Sequence, residues 1–379
     1  MKILYNFALI LLLIAYLPKA IYQRLRHGKY RHSLPYRLGL KMPNIPPTDK
    51  PIIWMHCCSV GETKAASTLA PYFKDHALII SSITETGHDT AKKLIPAHAH
   101  IYLPFDFSWT MWRLFRNIRP KMLIFVESDF WLNLMSFAKC KTVLVSGTLS
   151  ERSMRRFMSF PIFTKKLFSK FDRICVQNEL YQLRFNNIGQ IATVTGNLKM
   201  DMPTPPSKPE DFAITVGSTH PGEEEAILKA LAPLQDKYEQ LKVYIVPRHP
   251  ERFAQVEKLL KETKAIPVLE MGVLQSTYAK SKLAIVGGSF IGNIGGHNIL
   301  EPIFQHIPVL FGPQMHKQTE LKDLIEKAGA GKQVELSDLH DVVEKYIVSA
   351  PDYNTATAAA KKLDTQVRGV AKRTYDAII

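Results

Sequence analysis

The sequence predicts an α/β protein made of two parallel sheets in series. Short apolar runs alternate with amphipathic stretches from Pro51 onward, a dense proline segment interrupts them near the middle, and the alternation then restarts. The chain has 379 residues, 46% hydrophobic and 22% charged, a length that suits two domains better than a single core.

The elements follow in order. "MKILYNFALILLLIAYLPKAIYQRLRHGKYRH" opens with one lysine, is apolar from Ile3 to about Leu17 and turns basic from Lys19. The run is short for a span of ~20 residues, and Tyr16 and Tyr22 extend it as interfacial anchors. "AYLPKAIYQR" offers only a poor small-x-small cleavage site. Residues 1–20 therefore read as an uncleaved anchor that spans the membrane or lies in its interface, with a helix packed on the core as the alternative. The cations behind the run favour holding the rest of the chain on the cytoplasmic side.

"PIIWMHC", "HALIISSI", "HIYLPF", "KMLIFVE", "KTVLVSG", "RICVQN" and "IATVTG" read as buried strands separated by helical segments such as "ETKAASTLAPYF" and "GHDTAKKLI". Runs apolar on both faces fit a parallel sheet covered by helices on each side. The strands end in polar residues, which collect at the C-terminal edge where open α/β sheets bind ligands. Pro203, Pro205, Pro206 and Pro209 then form a stiff linker. Beyond it "FAITVG", "KVYIVP", "AIPVLE", "LAIVGG" and "IPVLFG" resume the pattern. Two such halves imply a cleft between them. The expected domains are 21–205 and 206–379, and the last amphipathic segment is able to pack back across the joint.

A net charge of +15 asks for anionic partners: nucleic acid, an acidic membrane surface, or phosphorylated and carboxylated substrates. No basic face interleaved with aromatics supports nucleic acid. Four cysteines, Cys57, Cys58, Cys140 and Cys175, have neither a disulfide framework's density nor paired metal-site spacing. They read as buried free thiols. Cys57 and Cys58 point to opposite faces of a strand and cannot jointly grip an ion.

Four strand-to-helix junctions carry the chemistry. In "WMHCCSVGETKAASTLA", Ser59 and Glu62 have the spacing of a capping box, and the same carboxylate stands where a general base could face a ligand. "AITVGSTHPGEEEAILKAL" turns through Ser218, Thr219 and His220 into a helix near Pro221, a start that suits a phosphate or is simply capped by Thr219. "VYIVPRHPERFAQVEKLL" sets Arg248, His249 and Arg252 past a strand, with Arg248 held between Pro247 and Pro250 to grip an anion, unless the loop is only solvated. "LAIVGGSFIGNIGGHNILEPIFQHIPVLFGP" has five glycines from Gly287 to Gly296, then Asn298 and Glu301 at a helix start. It matches neither G-x-G-x-x-G nor a P-loop. Glycines that admit a ligand to the backbone, followed by a carboxylate, fit the sugar hydroxyls of a nucleotide, and capping by Asn298 is compatible with that.

"HCCSVGE", "FVESDFW", "SGTLSERS", "VTGNLKMD", "GSTHPGEEEAIL", "VPRHPERF" and "GGSFIGNIGGHNILEP", in that order, closely resemble the 3-deoxy-D-manno-oct-2-ulosonic acid (Kdo) transferases of lipopolysaccharide assembly. The resemblance runs from the anchor almost to the C-terminus. It implies an α/β GT-B glycosyltransferase with two Rossmann-like domains facing a cleft and an N-terminal hydrophobic anchor helix in the inner membrane. The N-terminal domain would bind a phosphorylated lipid A precursor such as lipid IVA, and the C-terminal domain the donor CMP-Kdo. Glu62 matches the general base, and Glu127 and Lys199 match residues that stabilise the transition state. Pro247, Arg248, Met271, Gly272, Val273, Asn298, Ile299, Leu300 and Glu301 match the donor site, joined by the strand-end residues Ser218, Thr219, Gly288 and Ser289. Asp129 replaces an expected Glu, Leu132 and Ile299 replace prolines, and Val273 replaces a Glu; contacts through backbone atoms survive that last change, a side-chain contact does not.

The chemistry agrees. A CMP ester leaves as a monophosphate that cations and a helix start can hold without a metal or other cofactor. The attacking sugar hydroxyl needs a base, and one displacement inverts the anomeric centre. A nucleotide-sugar 2-epimerase of the same architecture, or a membrane-bound nucleic-acid-binding protein, are the alternatives. The expected membrane-facing segments are the cations Lys19, Arg24, Arg26, Lys29 and Arg31, together with "TMWRLFRNIRPK" and "SERSMRRFMSFPIFTKKLFSK", where cations and apolar residues interleave.

Overall fold

A computed structural model describes residues 2–27, 32–210 and 212–379. The chain divides into two compact units, Met1–Met202 with Gly369–Ile379, and Pro203–Arg368.

In the first unit β1 (Ile52–His56), β2 (Ala77–Ser82), β3 (Ala99–Tyr102), β4 (Met122–Val126), β5 (Lys141–Gly147), β6 (Arg173–Val176) and β7 (Thr193–Val194) form one parallel sheet in the order β3-β2-β1-β4-β5-β6-β7. The apolar runs are continuous because both faces are covered. Ile53, Met55, Ile124 and Val126 enter one core layer, and Trp54, Leu123 and Phe125 enter the opposite one. The strand order reverses between β1 and β4, which pair from Ile53↔Met122 to His56↔Phe125. That switch point is where an open α/β sheet leaves room beyond its strand ends.

The second unit repeats the plan. β8 (Ala213–Thr219), β9 (Lys242–Pro247), β10 (Ile266–Pro267), β11 (Leu283–Val286), β12 (Val309–Phe311) and β13 (Gly331–Gln333) pair in parallel in the order β10-β9-β8-β11-β12-β13. Its switch point lies between β8 and β11. Sequence reading missed β13, whose Gly-Lys-Gln contains no apolar run; it is an edge strand held by β12.

The proline segment 203–210 has no helix or strand. The C-terminal helix Val370–Ile378 corrects the expected domain 206–379. It belongs to the first unit, where Val370, Ala371 and Ile378 are buried in the layer that holds Ile53 and Ile124. Asp201 secures its start by accepting from the N–H groups of Gly369 (2.7 Å) and Ala371 (2.6 Å).

The N-terminal helix Lys2–His27 leaves Ile3, Leu4, Phe7, Leu11, Leu12 and Ile14 exposed. The four thiols are free, but only Cys57 and Cys175 are buried; Cys58 and Cys140 are partly exposed, because both lie where the chain enters or leaves a strand.

Candidate active site

In the first unit the chain leaving each switch-point strand carries an acid. After β1, Ser59 adopts extended backbone (φ −125°, ψ 167°) and caps the helix Val60–Leu69, its hydroxyl accepting from the Glu62 N–H at 3.3 Å. Glu62 reaches back: Oε2 accepts from the Cys58 N–H, and Oε1 accepts from the Ser59 hydroxyl at 3.2 Å. Capping is therefore real. The carboxylate is nonetheless buried, 8% exposed. Burial first, and the Glu127 charge second, push its pKa up to about 7, against the pull of the Ser59 bonds and Lys199. A group poised there takes and releases protons near neutrality.

Glu127 follows β4 in left-handed backbone, φ 69°, uncommon for a residue with a Cβ. Its N–H donates to the Val145 carbonyl (3.0 Å) and its carbonyl accepts from the Thr148 N–H (3.1 Å), so β5 holds the turn. Oε1 of Glu127 lies 2.5 Å from Lys199 Nζ. Lys199 stands on the single turn Leu198–Asp201, capped by Asn197, whose Oδ1 accepts from the Lys199 N–H at 3.0 Å. The ammonium also faces Gly61, where a Cβ would sit 3.4 Å from it. Three segments far apart in sequence thus bring Glu62, Glu127 and Lys199 together. Beside them a cavity of about 500 Å³ is lined by Asp129, Phe130, Trp131, Arg156 and Phe163.

In the second unit β8 bulges as it ends: the register shifts between Gly217 and Thr219, with Ser218 at φ 58°. Ser218 and Thr219 are buried. The Thr219 hydroxyl donates to Glu224 Oε1 (2.7 Å), and its carbonyl accepts from the Arg248 N–H (3.2 Å), tying the end of β8 to Pro247 and Arg248 beyond β9. Glu223, fully buried, organises the Gly-rich loop after β11. It accepts from the N–H groups of His220 (2.9 Å), Gly288 (2.7 Å), Ser289 (3.0 Å) and Phe290 (2.9 Å). At this turn, expected to suit a phosphate or to be capped by Thr219, the His220 N–H is taken by the helix's own Glu223 carboxylate.

Arg252 is also committed, its guanidinium forking onto Glu224 at 2.8 and 3.0 Å, whereas the Arg248 side chain is exposed. His220 and His297 stack with Nε2 atoms 2.8 Å apart, and His249 packs edge-on to His220. Burial, then His220, Arg248, His249 and Lys317, lower the His297 pKa to about 4. Cationic groups therefore crowd this edge. Gly288, at φ 68°, is required there, since a Cβ would lie 2.6 Å from the His297 ring.

Ser218, Thr219, Pro247, Arg248, Gly288 and Ser289 gather at this edge. Asn298 Oδ1 accepts from the Leu300 N–H (3.1 Å); Ile299 and Leu300 are buried, and Glu301 stands in the first turn of the four-residue helix Leu300–Ile303. Met271, Gly272 and Val273 lead into the helix Leu274–Tyr278, whose Leu274 and Tyr278 side chains crowd Gly217 at the end of β8. Sequence reasoning missed Glu223, Glu224, His297 and Lys317 as parts of this edge. "HPGEEE" reads locally as a helix start, and nothing local links it to residues 288–290.

Two units of Rossmann order, each with its polar residues at the switch point, define the GT-B class of α/β enzymes. Its fold recurs in UDP-GlcNAc 2-epimerase of Neisseria meningitidis (TM-score 0.61, 12% identity, covering 86% of this chain and 99% of that one). MurG of Acinetobacter baumannii shares it too (TM-score 0.54, 12% identity, 87% and 99%). The family model described as 3-Deoxy-D-manno-octulosonic-acid transferase (kdotransferase) matches residues 32–202. The 3-deoxy-D-manno-octulosonic acid transferase of Chlamydophila psittaci is 32% identical over 93% of this chain and 90% of its own length. The chain belongs to the 3-deoxy-D-manno-octulosonic acid transferase family.

Proposed function

We propose that the chain is an inverting glycosyltransferase that moves Kdo from CMP-Kdo to lipid IVA, the lipid A precursor, in lipopolysaccharide synthesis. The observation that carries this reading is the Glu62 carboxylate of a Kdo transferase family member, buried and poised near pH 7 beside the Glu127–Lys199 pair. Glu62 removes the proton of the acceptor hydroxyl as it attacks the anomeric carbon. Lys199, positioned by Glu127, offsets negative charge that develops on the transferring sugar and its leaving group. The first unit receives the lipid and the second the donor. The CMP phosphate is held by Ser218, Thr219, the backbone at Gly288 and Ser289, and Arg248, whose planar fork suits it. Pro247, Met271–Val273 and Asn298–Glu301 complete the nucleotide pocket. Leaving as a monophosphate, CMP needs no metal in this scheme.

The acceptor lies in a bilayer, and the chain has the means to reach one. Residues Lys2–Arg26 are long and apolar enough to cross a membrane by length and composition. We assign them as the anchor, with both units on the cytoplasmic side of the inner membrane. Lys19, Arg24 and Arg26 lie toward its C-terminal end; Lys29 and Arg31 lie outside the described residues. Exposed Met158, Phe160 and Ile162 stand among Arg155, Arg156, Lys165 and Lys166, and Trp109 and Trp112 are half exposed. Apolar and basic groups side by side suit an anionic lipid surface.

The test is transfer of sugar-labelled CMP-Kdo to lipid IVA by the full chain in detergent. Label should move to the lipid only when acceptor is present. Glu62→Gln should lower transfer ~10²–10⁴-fold while costing only the ~0.5–2 kcal/mol of a lost cap. Wild-type turnover with early melting would leave capping as the whole role of Glu62. Conversion of a UDP-sugar without acceptor would instead identify an epimerase.

A further inference from the structure

A second constellation adjoins Glu62 without using it. His56 ends β1, Cys58 follows two residues on, and Asp129 stands in the loop after β4. Cys58 Sγ lies 3.3 Å and Asp129 Oδ2 4.0 Å from His56 Nε2, and one donor atom from each residue falls within 4.8 Å of the others. Tetrahedral zinc, with bonds of about 2.0–2.3 Å, separates its donors by roughly 3.3–3.7 Å. The three side chains need only a small closure to meet one ion.

Two further observations single this cluster out. Asp129 Oδ2 is buried without a hydrogen-bond partner, a costly state for a carboxylate oxygen. The His56 ring is fully enclosed, and its other nitrogen, Nδ1, lies 2.8 Å from Ser81 Oγ, which also accepts from Trp54 Nε1 at 2.8 Å. A ligating imidazole is ordinarily oriented by such a bond from its far nitrogen, with Nδ1–H donated to the hydroxyl and the Nε2 lone pair directed at the metal. The partly exposed Cys58 and Asp129 leave a solvent path and a fourth coordination position.

We propose that His56, Cys58 and Asp129 form a three-ligand site for a zinc ion. A thiolate, an imidazole and one carboxylate select a borderline-soft cation over magnesium or calcium, which take oxygen donors. On binding, the Cys58 thiol gives its proton to solvent and its sulfur lone pair to the ion. The ion then ties the end of β1 to the loop after β4, the two segments that carry Glu62 and Glu127. His56 and Cys58 are 71 or more residues from Asp129 in the chain, and the β1–β4 pairing brings the two segments together.

The test uses the full-length, untagged chain in detergent under a non-thiol reductant, titrated with Co²⁺. One equivalent should produce a thiolate-to-cobalt charge-transfer band with the visible bands of tetrahedral geometry, and Zn²⁺ should bleach both. Cys58→Ser should abolish the charge-transfer band and Asp129→Asn should weaken cobalt binding at least tenfold, whereas Cys140→Ser should retain wild-type spectra. No charge-transfer band in folded wild-type protein overturns the site, as does a band that survives Cys58→Ser or disappears with Cys140→Ser. Kdo transfer is not the readout, so failure here leaves the proposed function standing, and loss of that function leaves this site standing.

Discussion

The bonds that Glu62 accepts from Ser59 favour its ionised form, while burial and the Glu127 charge oppose it, and burial wins. As the proposed base, Glu62 must be ionised, so kcat/KM should rise with pH through about 7. Glu127→Gln removes a like charge and should move that limb to lower pH; Lys199→Met removes an opposite charge and should move it higher. Both variants lose rate, so the position of the limb in a full pH profile is the quantity to read. A limb unmoved by Glu127→Gln would dissociate it from Glu62. Stability carries the same signature. Because the folded pKa exceeds the ordinary carboxylate value, the Glu62 contribution is complete below that value and is lost as pH rises through about 7, a slope that Glu62→Gln should remove. The Ser59–Glu62 pair was legible in sequence because a capping box is local. Glu127 and Lys199 were legible only through family resemblance. No spacing rule forecasts that residues 62, 127 and 199 share a strand edge, nor that Glu127 takes left-handed backbone to get there.

Strands announced themselves by their apolar runs, but the loops between them are shaped by distant partners. The Gly-rich segment after β11 keeps its course because Glu223 gathers the N–H groups of residues 288–290. Glu223→Ala leaves those donors buried and unpaired, which should destabilise the second unit by on the order of 3 kcal/mol and weaken CMP binding. Calorimetric melting and CMP titration check it. Melting equal to wild type would mean that the loop holds itself. The helices Glu151–Ser159 and Pro161–Phe168 show a different split. Met154, Phe157 and Phe163 pack on the core while Met158, Phe160 and Ile162 are exposed; the interleaved sequence cannot separate the two sets because a bend at Phe160 redirects the face. If the outer set meets lipid, a chain lacking residues 1–20 should still bind anionic liposomes. That binding should be salt-sensitive, ignore neutral liposomes and fall when Arg155, Arg156, Lys165 and Lys166 are neutralised, each cation adding up to ~1 kcal/mol. Indifference to anionic liposomes would leave the anchor as the sole attachment.

Both units repeat one strand order and place their polar residues at one kind of edge, a regularity visible in the sequence as alternation on each side of the prolines. What the alternation could not convey is that the last helix belongs with the first strands. Val370 and Ile378 are fully buried there, and such residues contribute about 1.5–3 kcal/mol each. A chain stopped after Arg368 should therefore lower the melting temperature of the first unit and leave that of the second unchanged, as two-transition calorimetry would read; equal melting of both would make the helix dispensable. The same helix sets an order of events during synthesis. The first unit lacks this helix until residues 370–378 are made, and the second unit is translated in between, on the order of ten to thirty seconds at typical elongation rates. Through that interval the apolar layer around Ile53 and Ile124 lacks the cover that Val370, Ala371 and Ile378 give it. The first unit to be born is the last to close, which makes the nascent chain a natural client for chaperones that shield apolar surface until release.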